Sequence, residues 1–106
     1  MTFQVRFTRA AQADLDRLFD FILERELARP GGGDLALADQ ALGAIRAGIE
    51  TLKTSPFTCR KAGASPFLRE LVIAFGRSGY VALFEIEDAR QVTVLAVRHQ
   101  LEEDYH

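Results

Sequence analysis

The apolar pattern of this chain changes its period twice, and the order of those changes leaves few folds open. Phe3, Val5 and Phe7 alternate with Gln4, Arg6 and Thr8, the period of two of a half-buried first strand. From Arg9 the spacing becomes that of a helix: Ala11, Leu15, Leu18, Phe19 and Ile22 form one apolar stripe, with Thr8 placed to cap its start. Pro30-Gly31-Gly32-Gly33 ends that helix, because proline brings no amide donor and consecutive glycines make helical order entropically costly. Asp34 can cap a second helix, whose Leu35, Ala38, Leu42, Ile45, Ile49 and Leu52 recur at spacings of three and four. Thr54-Ser55-Pro56 closes it, and a loop containing Arg60, Lys61 and Gly63 runs on to Pro66.

Three short apolar runs follow, Phe67 to Phe75, Tyr80 to Ile86 and Val92 to Arg98, separated by Gly76-Arg77-Ser78-Gly79 and Glu87-Asp88-Ala89-Arg90. Turns this short join antiparallel neighbours. The predicted fold is therefore α+β: a strand, a helical hairpin, then a three-stranded antiparallel meander, giving a four-stranded, mainly antiparallel sheet. With 106 residues the chain has room for one domain, spanning 1–106. In the run from Phe67, Leu71, Ile73 and Phe75 share one face while Leu68, Val72 and Ala74 occupy the other. Two helices cover only one face of such a sheet, so Leu71, Ile73 and Phe75 are candidate contacts for a protein partner, although alternation does not say which face meets the helices.

Composition bounds the chemistry. Thirteen Lys and Arg against 15 Asp and Glu give a net charge of −2, whereas proteins that hold nucleic acid through its phosphates usually carry a basic excess or stripe. Residues 55–106 are equally balanced, with six basic and seven acidic side chains. No sequence-specific nucleic-acid binding is expected. The single cysteine, Cys59, excludes an intramolecular disulfide and a cysteine-rich metal site; no metal or cofactor is expected. No run reaches the roughly 18 apolar residues of a membrane span, and the first residues lack a signal-peptide pattern. The expected location is the cytoplasm.

Four pieces of the chain carry a family likeness. Phe7-Thr8-Arg9-Ala10-Ala11-Gln12-Ala13-Asp14-Leu15 resembles the first strand and helix start of the RelE/ParE superfamily of toxins from type II toxin–antitoxin pairs. Ser55-Pro56 with Arg60 resembles its Pro-x-x-Gly-Arg loop, with Cys59 where glycine is usual. Leu68-Arg69-Glu70-Leu71 and Tyr80-Val81-Ala82-Leu83-Phe84 resemble its next two strands. Val94 to Gln100, with Glu102 and Tyr105, resembles the closing strand and tail of ParE-like members. The resemblance implies a hetero-oligomer with a cognate antitoxin, and one of two activities: RelE-like members cleave mRNA on the ribosome, whereas ParE-like members poison DNA gyrase by protein contact.

For a metal-independent nuclease, Arg69 would hold the scissile phosphate, His99 would act as acid or base, and Tyr105 would stack on a base or donate a proton. The structural alternatives are an ion pair from Arg69 to a tail acid such as Glu102 or Glu103, and a backbone-bonded His99 at the strand end. The lysine-rich second helix of the nuclease members is missing, with only Arg46 and Lys53 in that region, and Glu102-Glu103-Asp104 would repel phosphate beside Arg98 and His99. The ParE-like branch is therefore favoured. That branch carries the plasmid-stabilisation role and gyrase as expected target, with no catalytic residues of its own.

Overall fold

The computed structural model describes residues 2–102. Strand β1 (Gln4–Phe7) leads into helix α1 (Arg9–Leu27), which is followed by helix α2 (Ala36–Glu50) and a 3-10 turn over Thr51–Lys53. After a second 3-10 turn, Pro56–Thr58, come β2 (Arg60–Lys61), β3 (Leu68–Phe75), β4 (Ser78–Ile86) and β5 (Gln91–His99). The sheet order is β1-β5-β4-β3-β2, with β1 parallel to β5 and every other pairing antiparallel. The four expected strands are present, and a fifth is added at the edge: β2, whose two residues are too few for any periodicity to register.

Both helices lie on one face. Leu15, Leu18 and Ile22 of α1 and Ala38, Ile45 and Ile49 of α2 pack on Ile73, on Tyr80, Ala82 and Phe84, and on Val92, Val94 and Val97. Gly48 lets α2 come close to the sheet, since a Cβ there would sit 2.8 Å from Ile73 Cγ1. Ile73 is thus buried beneath α2, and Leu71 and Phe75 pack at the margin of the same core. All three candidate contacts of β3 lie on the helix-covered face.

The opposite face is less bare than its apolar residues suggest. Val81 and Ala96 are buried there, and Arg98, only 14% exposed at its side chain, stands 3.9 Å from Glu70, which also pairs with Arg60 at 3.0 Å. This line of charges, carried on long aliphatic stems, screens the strands from water. Val72 is the large apolar side chain of that face left substantially exposed.

Where β1 ends, the outer edge of β5 runs on without a neighbouring strand, and its polar backbone groups need partners. Thr8 Oγ1 donates to the Leu95 carbonyl (3.1 Å) while accepting from Ala11 N at the start of α1. One turn further on, the buried Asp14 carboxylate accepts from Val97 N at 2.9 Å. The bulge that shifts the β4–β5 register after Leu83 lies at this level. Thr8 is therefore the cap the sequence indicates, and together with Asp14 it also ties α1 to the last strand.

At the other end of α1, Glu26 is buried and accepts from Asp34 N at 3.0 Å, with Arg29 at 3.2 Å and Arg25 at 3.4 Å. The Asp34 hydrogen bond, then the Arg29 and Arg25 charges, outweigh burial and hold its carboxyl below the ordinary value of 4.5. Gly33 passes directly over it, where a Cβ would lie 2.5 Å from the Glu26 carbonyl oxygen. Asp34 stands just outside α2, its carboxylate accepting from Ala36 N.

Candidate functional site

Of the residues named for nuclease chemistry, the described pair Arg69 and His99 is not brought together. Arg69 donates from Nε to the Pro66 carbonyl (2.7 Å) and from Nη1 to the carbonyls of Phe57 (2.9 Å) and Cys59 (2.7 Å). Its guanidinium also lies 5.3 Å from the centre of the Phe57 ring. In place of the alternative ion pair to Glu102 stands this clamp on the 56–66 loop, where three carbonyls converge on one planar fork of donors. Glu102 pairs instead with Arg17 at 3.2 Å, and Arg98 Nη1 donates to the Glu102 carbonyl at 2.7 Å.

His99 lies elsewhere. Its Nδ1 accepts from Leu101 N (3.2 Å), which leaves Nε2 to carry the proton and donate to Ser78 Oγ (2.9 Å). The cross-strand register aligns Ile73 with Tyr80 and Tyr80 with His99, whereas Arg69 is opposite Phe84. Four residues along β3 and two strands across place the Arg69 and His99 backbones about 16 Å apart. Tyr105, like Glu103 and Asp104, lies outside the described residues.

A groove of about 790 Å³ lies between α1, the start of α2 and the β3–β4 turn. Its floor is aromatic, with Phe75 6.2 Å from Tyr80, and Tyr80 5.5 Å from His99, edge to face. Burial of the Tyr80 ring raises the pKa of its phenol, with the Arg25 charge working against the shift. Leu18 and Ile22 close the floor on the helix side, Leu37 lines the α2 side, and Phe21 (61% exposed) and Leu101 (80% exposed) stand at its mouth.

Four arginines, Arg17, Arg25, Arg29 and Arg77, line this groove against one carboxylate, Glu102, in a chain whose net charge is −2. Arg25 and Arg29 share the buried Glu26 behind the wall, Arg17 pairs with Glu102, and Arg77 has no carboxylate partner among the described residues. The turn that carries Arg77 is built by Gly76 at φ +62° and by Gly79, where a Cβ would collide with the Ile73 carbonyl. Of Leu71, Ile73 and Phe75, only Phe75 reaches the groove. Phe21, Arg25 and Arg29 carried no signal in sequence, and Arg17 read as a water-facing residue of α1. Their convergence with Arg77 of the glycine turn is visible only once α1 is laid on the sheet.

A second hollow, of about 370 Å³, lies between β1, α1 and the end of α2, with Arg46, Glu50 and Lys53 at its rim. Among the described residues no group of histidine, cysteine and carboxylate side chains is arranged to hold a metal ion, and no helix is long and apolar enough to cross a membrane.

Comparison with known proteins agrees with this architecture. Among solved structures, the chain is similar to one from the chromosomal ParDE toxin–antitoxin system of P. aeruginosa, with a TM-score of 0.67, 20% identity, and 92% of this chain and 96% of that one covered. It is also similar to one from the RelBE2 toxin–antitoxin complex of Mycobacterium tuberculosis, with a TM-score of 0.61, 20% identity, and 96% and 95% covered. At this identity the likeness establishes the fold. Comparison with curated protein sequences gives no match. Residues 5–104 match the model of the family described as ParE toxin of type II toxin-antitoxin system, parDE. The chain therefore belongs to the ParE toxin family, within the RelE/ParE superfamily.

Proposed function

We propose that this chain is held inactive by a cognate antitoxin seated in the arginine-rimmed groove, and that it acts on DNA gyrase by protein contact. What supports the gyrase reading best is the separation of Arg69 from His99. A ribonuclease that dispenses with a metal must gather phosphate-holding cations and a proton-transfer group around one scissile bond. Here one is locked into a loop and the other into a strand end.

The groove suits a segment with apolar anchors on one side and acids on the other, ordered as it binds. Phe21, Leu37, Phe75 and Leu101 would take the anchors, and Arg77 an unpaired carboxylate. This moves the antitoxin contact from β3 as a whole to Phe75 and its surroundings, and gives Leu71 and Ile73 the role of supporting the floor.

A gyrase supercoiling assay with the purified chain tests the target: inhibition that the antitoxin relieves is expected, and unchanged supercoiling at toxic doses would remove gyrase. A second reading, ribosome-dependent mRNA cleavage, is favoured by one observation, that His99 shares the groove with four arginines. Primer extension on messages from expressing cells separates the two. In-frame cuts that disappear with His99→Ala would establish cleavage.

A further inference from the structure

We infer that the exposed pair Phe57 and Phe67, with Lys61 and Arg69 beside it, is the surface through which this toxin grips its protein target, an acidic surface with apolar pockets. The inference rests on the gyrase reading above and supplies the contact that reading leaves open.

Phe57 and Phe67 are each 50% exposed, yet their rings are ordered against each other, 6.4 Å apart and inclined at 74°. Half-exposed aromatic rings held in place are what protein interfaces use as anchors, because their ordering cost is already met before the partner arrives. Here Arg69 meets it. Its three carbonyl bonds fix the loop on both sides of the rings, and its guanidinium backs the Phe57 ring. Arg69 is a positioning residue for the platform.

The charge arrangement points to the partner's chemistry. In the β2–β3 pairing, Arg60 faces Glu70 and forms an ion pair, whereas Lys61 faces Arg69. Directly opposed like charges on one face of a sheet are unfavourable. Among the described residues no carboxylate forms an ion pair with Lys61 or Arg69, so an acidic partner surface would relieve a repulsion built into the free protein. Nucleic acid is a poorer occupant. Bases stack on ring faces, and these rings stand nearly perpendicular, with one face of Phe57 already taken by Arg69.

The platform is also remote from the groove. Phe67 adjoins the first residue of β3 and Phe75 is its last, which separates the two sites by about 23 Å along the strand. Target contact and antitoxin contact can therefore be removed independently.

The test uses the purified full chain with DNA gyrase holoenzyme and plasmid, in supercoiling assays, with wild type, Lys61→Glu and Phe57→Ser/Phe67→Ser. Lys61→Glu replaces a repulsion with an attraction to Arg69, so its melting temperature should match or exceed wild type, which makes its loss of function interpretable. Both variants should need about tenfold more toxin for half-inhibition, as expected when interface anchors are lost. Both should still co-purify with the cognate antitoxin.

Wild-type potency in both variants overturns the inference while leaving the gyrase reading intact. If wild type leaves supercoiling untouched, gyrase is dismissed and the surface is judged by growth arrest on expression. Arrest that Lys61→Glu abolishes, with messages intact in wild type, still assigns the platform to a protein target. Arrest unchanged by Lys61→Glu, absence of arrest in wild type, or mRNA cleavage that Lys61→Glu abolishes each overturns it.

Discussion

Asp14 shows most plainly what a single residue does here. Its carboxylate lies 4% exposed at the α1–β5 junction and accepts from an amide 83 positions away, where the β5 edge has outrun β1. Asp14→Ala would leave the Val97 N–H buried without a partner and should lower unfolding stability by about 1–3 kcal/mol in urea titrations. Asp14→Asn keeps an acceptor and should recover most of the loss. The segment from Phe7 to Leu15 was legible as a family feature, but not its reason, since nothing local in sequence indicates which distant amide a helix aspartate will meet. Arg69 behaves similarly. Its position at a strand end was legible, whereas its three carbonyl partners depend on the path of the 56–66 loop. Arg69→Lys should not restore what Arg69→Ala loses in thermal unfolding, because an ammonium lacks the planar fork that reaches those carbonyls.

At the scale of elements, the helical hairpin is the part most fully written in the sequence. The apolar spacing of three and four, the Thr8 cap and the Pro30-Gly33 break all reappear as α1, α2 and the tip between them. What holds the tip is Glu26, which ends the buried stripe of α1, four residues after Ile22, with a carboxylate. Its folded pKa is lowered, so the stability it contributes is complete above the unfolded value near 4.5 and disappears as pH falls through the lowered folded value. Glu26→Gln should therefore flatten the pH dependence of melting in the acid range and leave its shape near neutrality unchanged. Gly33→Ala should lower the melting temperature at every pH, since the added Cβ meets the Glu26 backbone. The strands were legible as a meander, but the charged screen on their far side was not. Arg98 reads as a strand-end polar residue until the register places it with Glu70 over Val81 and Ala96.

For the whole molecule, 50 Å in its longest dimension, β3 connects two chemically different ends. One is a groove with an aromatic floor and an arginine rim; the other is a clamped aromatic pair with facing cations. The sequence pointed to a protein partner through its doubly apolar strands, and the fold relocates that expectation from the sheet face to the sheet ends. Phe21→Glu with Arg77→Glu should abolish co-purification with the antitoxin and leave gyrase inhibition in place, the reverse of what Lys61→Glu does. The supercoiling assay on the purified wild-type chain bears most directly on the mechanism. Inhibition of gyrase, relieved by antitoxin and accompanied by intact messages in expressing cells, is the expected result. Unimpeded supercoiling, together with in-frame mRNA cleavage that His99→Ala abolishes, would contradict it.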